Sequence, residues 1–292
     1  MENTLENTTD ITQIIIDTIN TIFGNLFSSI DNSLYDVLDK VTFISSNILK
    51  DSNFETLFGT SASSGILLIS NSLLLGFLLY YAIRYLMAHL TFTQAELPSK
   101  FLIKLLLCGI FMNFSFYCLE LFLDLNNNVS LAIRSIGESL FNKNICFSEL
   151  INTINTQMSI DTSTIDLFSL DGLIKSILSV SLLSLVFSYS LRYVFVKVFI
   201  LLSPFAILSL SLQSTSWFFK AWFRNLFSLL FLQIVVSLVL LILFSMDYST
   251  SNLFVKFIYV GGIYALIRAN SFIREFIGGV STQVTQTVKR FF

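Results

Sequence analysis

The sequence predicts an all-α fold: a polytopic helical membrane protein with about five transmembrane helices plus one re-entrant or kinked segment. Three observations predict it. Of 292 residues, 54% are hydrophobic and only 12% charged, which is about half the charge of a soluble domain. The apolar residues fall in long runs with only two prolines and 11 glycines in the chain, unlike the short alternating segments of a transmembrane barrel. The third observation is Phe199–Phe231, FILLSPFAILSLSLQSTSWFFKAWFRNLFSLLF. There an apolar run broken by Pro204 leads through a polar bend into an aromatic-basic band, and a second apolar run follows. Trp, Lys and Arg favour the headgroup layer, so Trp217, Lys220, Trp222 and Arg224 mark an interface between two lipid-buried segments.

Residues 1–62 read as an extracytoplasmic, amphipathic helical region. Ile15, Ile19, Ile22, Leu26, Ile30, Leu34, Val37, Val41, Ile44 and Ile48 recur at steps of three or four. That spacing gives one apolar helix face, on one helix or on two joined near Ser28–Ser29. Such a helix lies on the bilayer, packs on the bundle or docks another subunit. Its polar face is acidic, whereas helices drawn to anionic lipid are basic. The N-terminus MENTLENTTD is also acidic where a signal peptide carries positive charge, so membrane entry is expected to rest on the internal spans.

Residues 63–123 form a transmembrane hairpin with spans at about Gly65–Met87 and Phe101–Leu123, each long enough for a bilayer core. Arg84, His89, Lys100 and Lys104 against Glu96 make the connection cytoplasmic by the positive-inside rule, and the N-terminus then lies outside. Residues 124–172 form an extracytoplasmic loop subdomain, polar and mostly acidic. Val129, Leu131, Ile133, Ile136, Leu140 and Phe141 have near-helical spacing there, and a structureless loop of this length is unusual.

Residues 173–270 are the transmembrane core. Leu173–Leu191 spans, and Val198–Leu212 bends back at Pro204, which keeps the Trp217–Arg224 band cytoplasmic. A single long tilted helix is the alternative. Leu226–Met246 and about Leu253–Ile267 complete the core. Arg268, Arg274, Lys289 and Arg290 place the tail, residues 271–292, in the cytoplasm, and Gly278-Gly279 reads as a helix C-cap. No internal repeat is visible, which speaks against a secondary transporter.

The chemistry-bearing residues point away from catalysis. Metal-ligand and P-loop spacings are missing, as are GxxxxGK[ST], HExxH and CxxC. The single histidine, His89, leaves no Ser-His-Asp set on one side of the membrane. Cys108 and Cys118 lie about 15 Å apart along one helix, too far to bridge, and Cys146 stands alone. No enzyme activity, cofactor or metal is expected, and a net charge of −2 does not suggest a nucleic-acid binder. Ionisable groups in or beside spans are Lys104, Glu120, Arg192, Lys197 and Lys256. Lys104, Lys197 and Lys256 lie within about two turns of span ends, where long side chains snorkel. Glu120 reaches less far and either pairs with a base or lines a polar path. Asn113 is placed for an interhelical hydrogen bond. Ser181, Ser184 and Ser188 share a face that either packs tightly or lines a watery path.

The run VFILLSPFAILSLSLQSTSWFFKAWFRNLFSLLFLQIVVSLVLLI, with the tail ALIRANSFIREFIGGVST, resembles the TrbL-like polytopic channel subunit of type IV secretion and conjugation machines. The resemblance covers roughly Leu173–Thr282; before that only the topology matches. Pro204, Trp222 and Gln233 are the positions it carries over. The chain lacks the long soluble extension of many relatives. The resemblance implies an inner-membrane channel or scaffold subunit, N-terminus outside and C-terminus inside, assembled as several copies. Its implied partners are secretion ATPases, a bitopic scaffold subunit, the lipid bilayer and, transiently, a relaxase–single-stranded DNA complex or an effector protein. A permease component and a holin-like membrane protein are the alternatives from other classes.

Overall fold

The computed structural model describes residues 14, 16–22, 34–35, 37–59, 65–92, 97–157, 170–246 and 253–277, and these hold helices and no strand. The elements are α1 (Ser52–Phe58), α2 (Ile66–Leu90), α3 (Pro98–Asn113), α4 (Ser115–Phe141), α5 (Phe147–Gln157), α6 (Leu170–Leu201), α7 (Ser203–Leu208), α8 (Ser216–Phe244) and α9 (Leu253–Ile277), with 3-10 turns at Ser46–Ile48 and Ser209–Ser211. Residues 1–13, the joint at Ser28–Ser29, residues 158–169 and the tail from Gly278 lie outside the described residues.

Among the described residues three helices, α2, α6 and α8, are long and apolar enough to cross a membrane, and α3 with α4 makes a fourth if that pair, bent by 57°, is one span. This is fewer than the five expected. The difference is α9, whose apolar run is diluted by Lys256, Arg268 and Asn270.

Local chemistry explains the boundaries. α1 starts where the Asp51 side chain accepts from the Asn53 amide at 3.2 Å and stops at Gly59, whose φ of 89° suits a residue without Cβ. Pro98 opens α3, where a missing N–H is harmless. α6 runs unbroken for 32 residues. This replaces the expected span and re-entrant piece: Val198–Leu201 is the last turn of α6, and only residues 203–211 lie beyond the break. Pro204 causes the break, because it cannot donate to Ile200 and its ring crowds the preceding turn. α4 also corrects a boundary. Asp124–Phe141 continue the helix that begins at Ser115, so the polar region after Leu123 is not a loop at first. Asn favours turns when its amide bonds its own backbone; here Asn126 and Asn127 bond Gln233 on α8 instead.

The N-terminal region, expected as one amphipathic helix or two joined near Ser28–Ser29, breaks after Thr42. Residues 37–42 are helical, 43–45 are not, and the chain then enters the 3-10 turn. This strap, residues 37–51, packs into the bundle, one of the placements expected for it. Leu38, Thr42, Ile44, Ile48 and Leu49 are buried in the bundle.

α8 is the central helix. α4 lies beside it in parallel: Asn126 meets Gln233, and one turn further Ser130 meets Ser237. α6 is antiparallel to it, with Phe199 against Trp222 and Arg192 against Leu229. α9 closes the bundle against α6 and α8. Leu185, Leu232, Val236, Leu240 and Leu266 fill the core between these three. α2 is peripheral, held by α3 and α7 through Leu67, Met112 and Leu208.

Gly262 marks a close crossing of α8 and α9, since a Cβ there would collide with both methyl carbons of the buried Leu243 side chain. Gly262→Ala is expected to lower stability by about 1–3 kcal/mol through overpacking. Gly261→Ala, which meets nothing within 4 Å, should be neutral or stabilising by up to about 1 kcal/mol. Thermal unfolding of the detergent-purified variants reads the difference.

Candidate functional site

Among the described residues, the most concentrated polar chemistry lies inside the bundle, where α4, α6 and α8 surround the strap. Arg192 projects from α6 and is 0% exposed. Its Nε donates to the Leu229 carbonyl at 2.7 Å and its Nη1 to the Thr42 carbonyl at 2.8 Å. Thr42 ends the helical part of the strap, where carbonyls run out of amide partners. The guanidinium therefore caps a helix C-terminus, the end whose dipole favours a cation. Arg192 Nη2 and Thr42 Oγ1 are buried without a hydrogen-bond partner.

Gln233, also 0% exposed, is the hub one turn beyond Leu229. Its Oε1 accepts from the Ile44 amide at 3.1 Å and from Asn126 Nδ2 at 3.3 Å, and its Nε2 donates to Asn127 Oδ1 at 3.2 Å. The Ile44 amide belongs to the non-helical part of the strap, so Gln233 replaces a helical acceptor. Ser237 Oγ donates to the Gln233 carbonyl at 3.0 Å and shares a 2.7 Å hydrogen bond with Ser130 Oγ. The repeat of i, i+4 polar residues on both helices sets their register.

Both ends of the strap are tied as well. The Asp39 carboxylate accepts from the amides of Phe147 and Ser148 at 2.9 and 3.3 Å, capping the start of α5. Burial pushes this carboxyl up from its ordinary value, against the pull of those amides and of the nearby Arg134. Arg134 itself lies 3.9 Å above the Phe43 ring, a cation–π contact. At the other end Lys50 pairs with Glu120, and Asp51 with Lys197, each at 3.7 Å.

The residues singled out from the sequence fall in three groups. Gln233, Trp222 and Pro204 stand on the α6–α8 seam. Trp222 donates from Nε1 to the Phe199 carbonyl at 2.7 Å, satisfying the last turn of α6. Glu120 meets a base, Lys50, and Asn113 exchanges hydrogen bonds with Asn71 of α2 at 3.3 and 3.4 Å. The others do not join the site. Trp217 is 65% exposed, and Arg224 is exposed. Ser181, Ser184 and Ser188 do not act as one face: Ser188 is buried, Ser181 half-buried and Ser184 exposed.

Sequence reasoning missed Thr42, Ile44, Asn126 and Asn127, and read Arg192 only as a flanking charge. A signal was present for one of them, Asn126. Asn126 with Ser130 and Gln233 with Ser237 are matching i, i+4 polar pairs, the pattern of two helices that bond each other. No signal marks the strap, because its contribution is backbone. Among the described residues no group of three or more His, Cys, Asp or Glu could hold a metal ion.

Gln233→Leu leaves the Ile44 amide and the Asn126 side chain without their acceptor, at about 1–3 kcal/mol for each buried group left unpaired. The strap is then expected to loosen before the bundle unfolds. Limited trypsin digestion should show faster cleavage after Lys40 and Lys50 in the variant, with the α6–α9 fragment still resistant; unchanged cleavage contradicts the hub role.

Comparison with protein-family models, with curated proteins and with solved structures found no match.

Proposed function

We propose that the chain is a channel or scaffold subunit of a type IV secretion machine for conjugative DNA transfer, forming part of the inner-membrane translocation path. The observation that carries this reading is where the resemblance falls on the fold. Pro204, Trp222 and Gln233 stand at successive joints of one seam: the break after α6, the closure of its last turn, and the attachment of the strap. Residues that mark a family resemblance and also hold an assembly together suit a subunit whose product is architecture. The strap occupies the polar interior of a single copy, so the translocation path forms between copies and their partners.

The topology that goes with this role has five crossings: α2, the bent α3–α4 pair, α6, α8 and α9. α9 joins as the fifth because Tyr259 and Asn270 are buried against its neighbours, which shelters part of its polarity from lipid. The N-terminus is outside and the C-terminus inside. Reporter fusions after Lys100 and Gln213 should then report the cytoplasm, and fusions after Lys143 and Met246 the outside. Gln213 and Lys143 on one side overturns the arrangement.

The functional test is deletion and complementation in a mating assay. DNA transfer should be abolished by deletion and restored by the wild-type gene. Normal transfer without the chain refutes the role.

A further inference from the structure

We propose that the cleft beneath the α3–α4 bend holds one acyl chain of an anionic phospholipid, with its phosphate on Lys104. The inference rests on the membrane reading of the helices and not on the secretion role. The cleft has a volume of about 580 Å³, within the roughly 300–1,000 Å³ range of small-molecule sites. Its walls are α3 and the start of α4 on one side and α7 with the aromatic band of α8 on the other.

The lining has the polarity of a lipid. Lys104 stands at one end, and Lys100 precedes it by one turn on α3. Beyond Lys104 the wall is almost wholly apolar, closed by Phe219, Trp222 and Phe223, and no carboxylate lines it. Basic pockets between membrane helices on the cytoplasmic side take anionic headgroups, and an ammonium–phosphate hydrogen bond is charge-assisted. Length matches too. From Lys104 to Asn113, the last residue of α3, is about 14 Å at the helical rise, close to the roughly 15 Å depth of one leaflet. Ser203 adds an independent sign of a ligand: it lines the cleft, is 0% exposed, and its Oγ has no hydrogen-bond partner.

The chain carries its own probe. It has two tryptophans; Trp222 lines the cleft and Trp217 does not. The Trp217→Phe protein is placed in phosphatidylcholine nanodiscs doped with a small, equal fraction of either acyl-brominated phosphatidylglycerol or acyl-brominated phosphatidylcholine. Brominated phosphatidylglycerol should quench Trp222 several-fold more. Lys104→Gln should equalise the two lipids, and Lys104→Arg should keep the preference. Cys118→Phe, which adds a ring to the cleft wall, should lower quenching by both. Equal quenching by the two lipids, a preference unchanged in Lys104→Gln, or a Trp222 shielded from both because a second copy fills the cleft would each overturn the proposal.

Discussion

The structure depends on a reciprocal contract between two buried polar side chains and one stretch of irregular backbone. Arg192 and Gln233 are both 0% exposed, and the partners described for them are carbonyls, an amide and asparagine side chains, with no carboxylate among them. The helix ends at Thr42 and residues 43–45 have left it, so the Thr42 carbonyl and the Ile44 amide lack helical partners. Each solves the other's problem: the Thr42 carbonyl takes the guanidinium, and the Ile44 amide takes the glutamine oxygen. In a dry interior an unmatched backbone group costs free energy comparable to a lost hydrogen bond. The strap is therefore specified at a residue or two, and a slip by one position would unpair both sides at once.

This constraint also explains the packing around it. Between lipid-buried helices apolar surface gives little drive to associate, because lipid tails are as apolar as leucine. Close van der Waals fit and interhelical hydrogen bonds decide instead. The α4–α8 contact has both, with serines at Ser130 and Ser237 and the amide cluster one turn away. Interhelical bonds of this kind are individually modest, about 0.6–2 kcal/mol. The two rungs together set a parallel register that apolar residues alone would leave free to slide.

The helical character was legible from composition, and α2 and α8 from their apolar runs. The breaks were legible only where a residue forces them. Pro204 announced the end of α6, although the extent of turning back was overread because the charges of Arg192 and Lys197 looked like a span end. In the structure Arg192 is buried and Lys197 pairs with Asp51, so neither charge needs the interface. The Asn126–Asn128 run looked like a loop because propensity is local, whereas its partner Gln233 lies 107 residues from Asn126. Of the candidate site, Gln233 could be named in advance. The strap's role could not, since main-chain atoms leave no mark in residue identity.

The bend between α3 and α4 turns the molecule's breadth into an angular quantity. The direction changes by 57° at a single residue, Phe114, between two stiff rods. α3 is about 24 Å long at the helical rise, so each degree at that joint displaces its far end by roughly 0.4 Å. α2 and α3 share that angle, and the Leu67–Met112–Leu208 cluster against α7 holds it. In any ring of such chains that touch through their arms, circumference and central aperture would be set by the torsions of one phenylalanine rather than by the length of any helix.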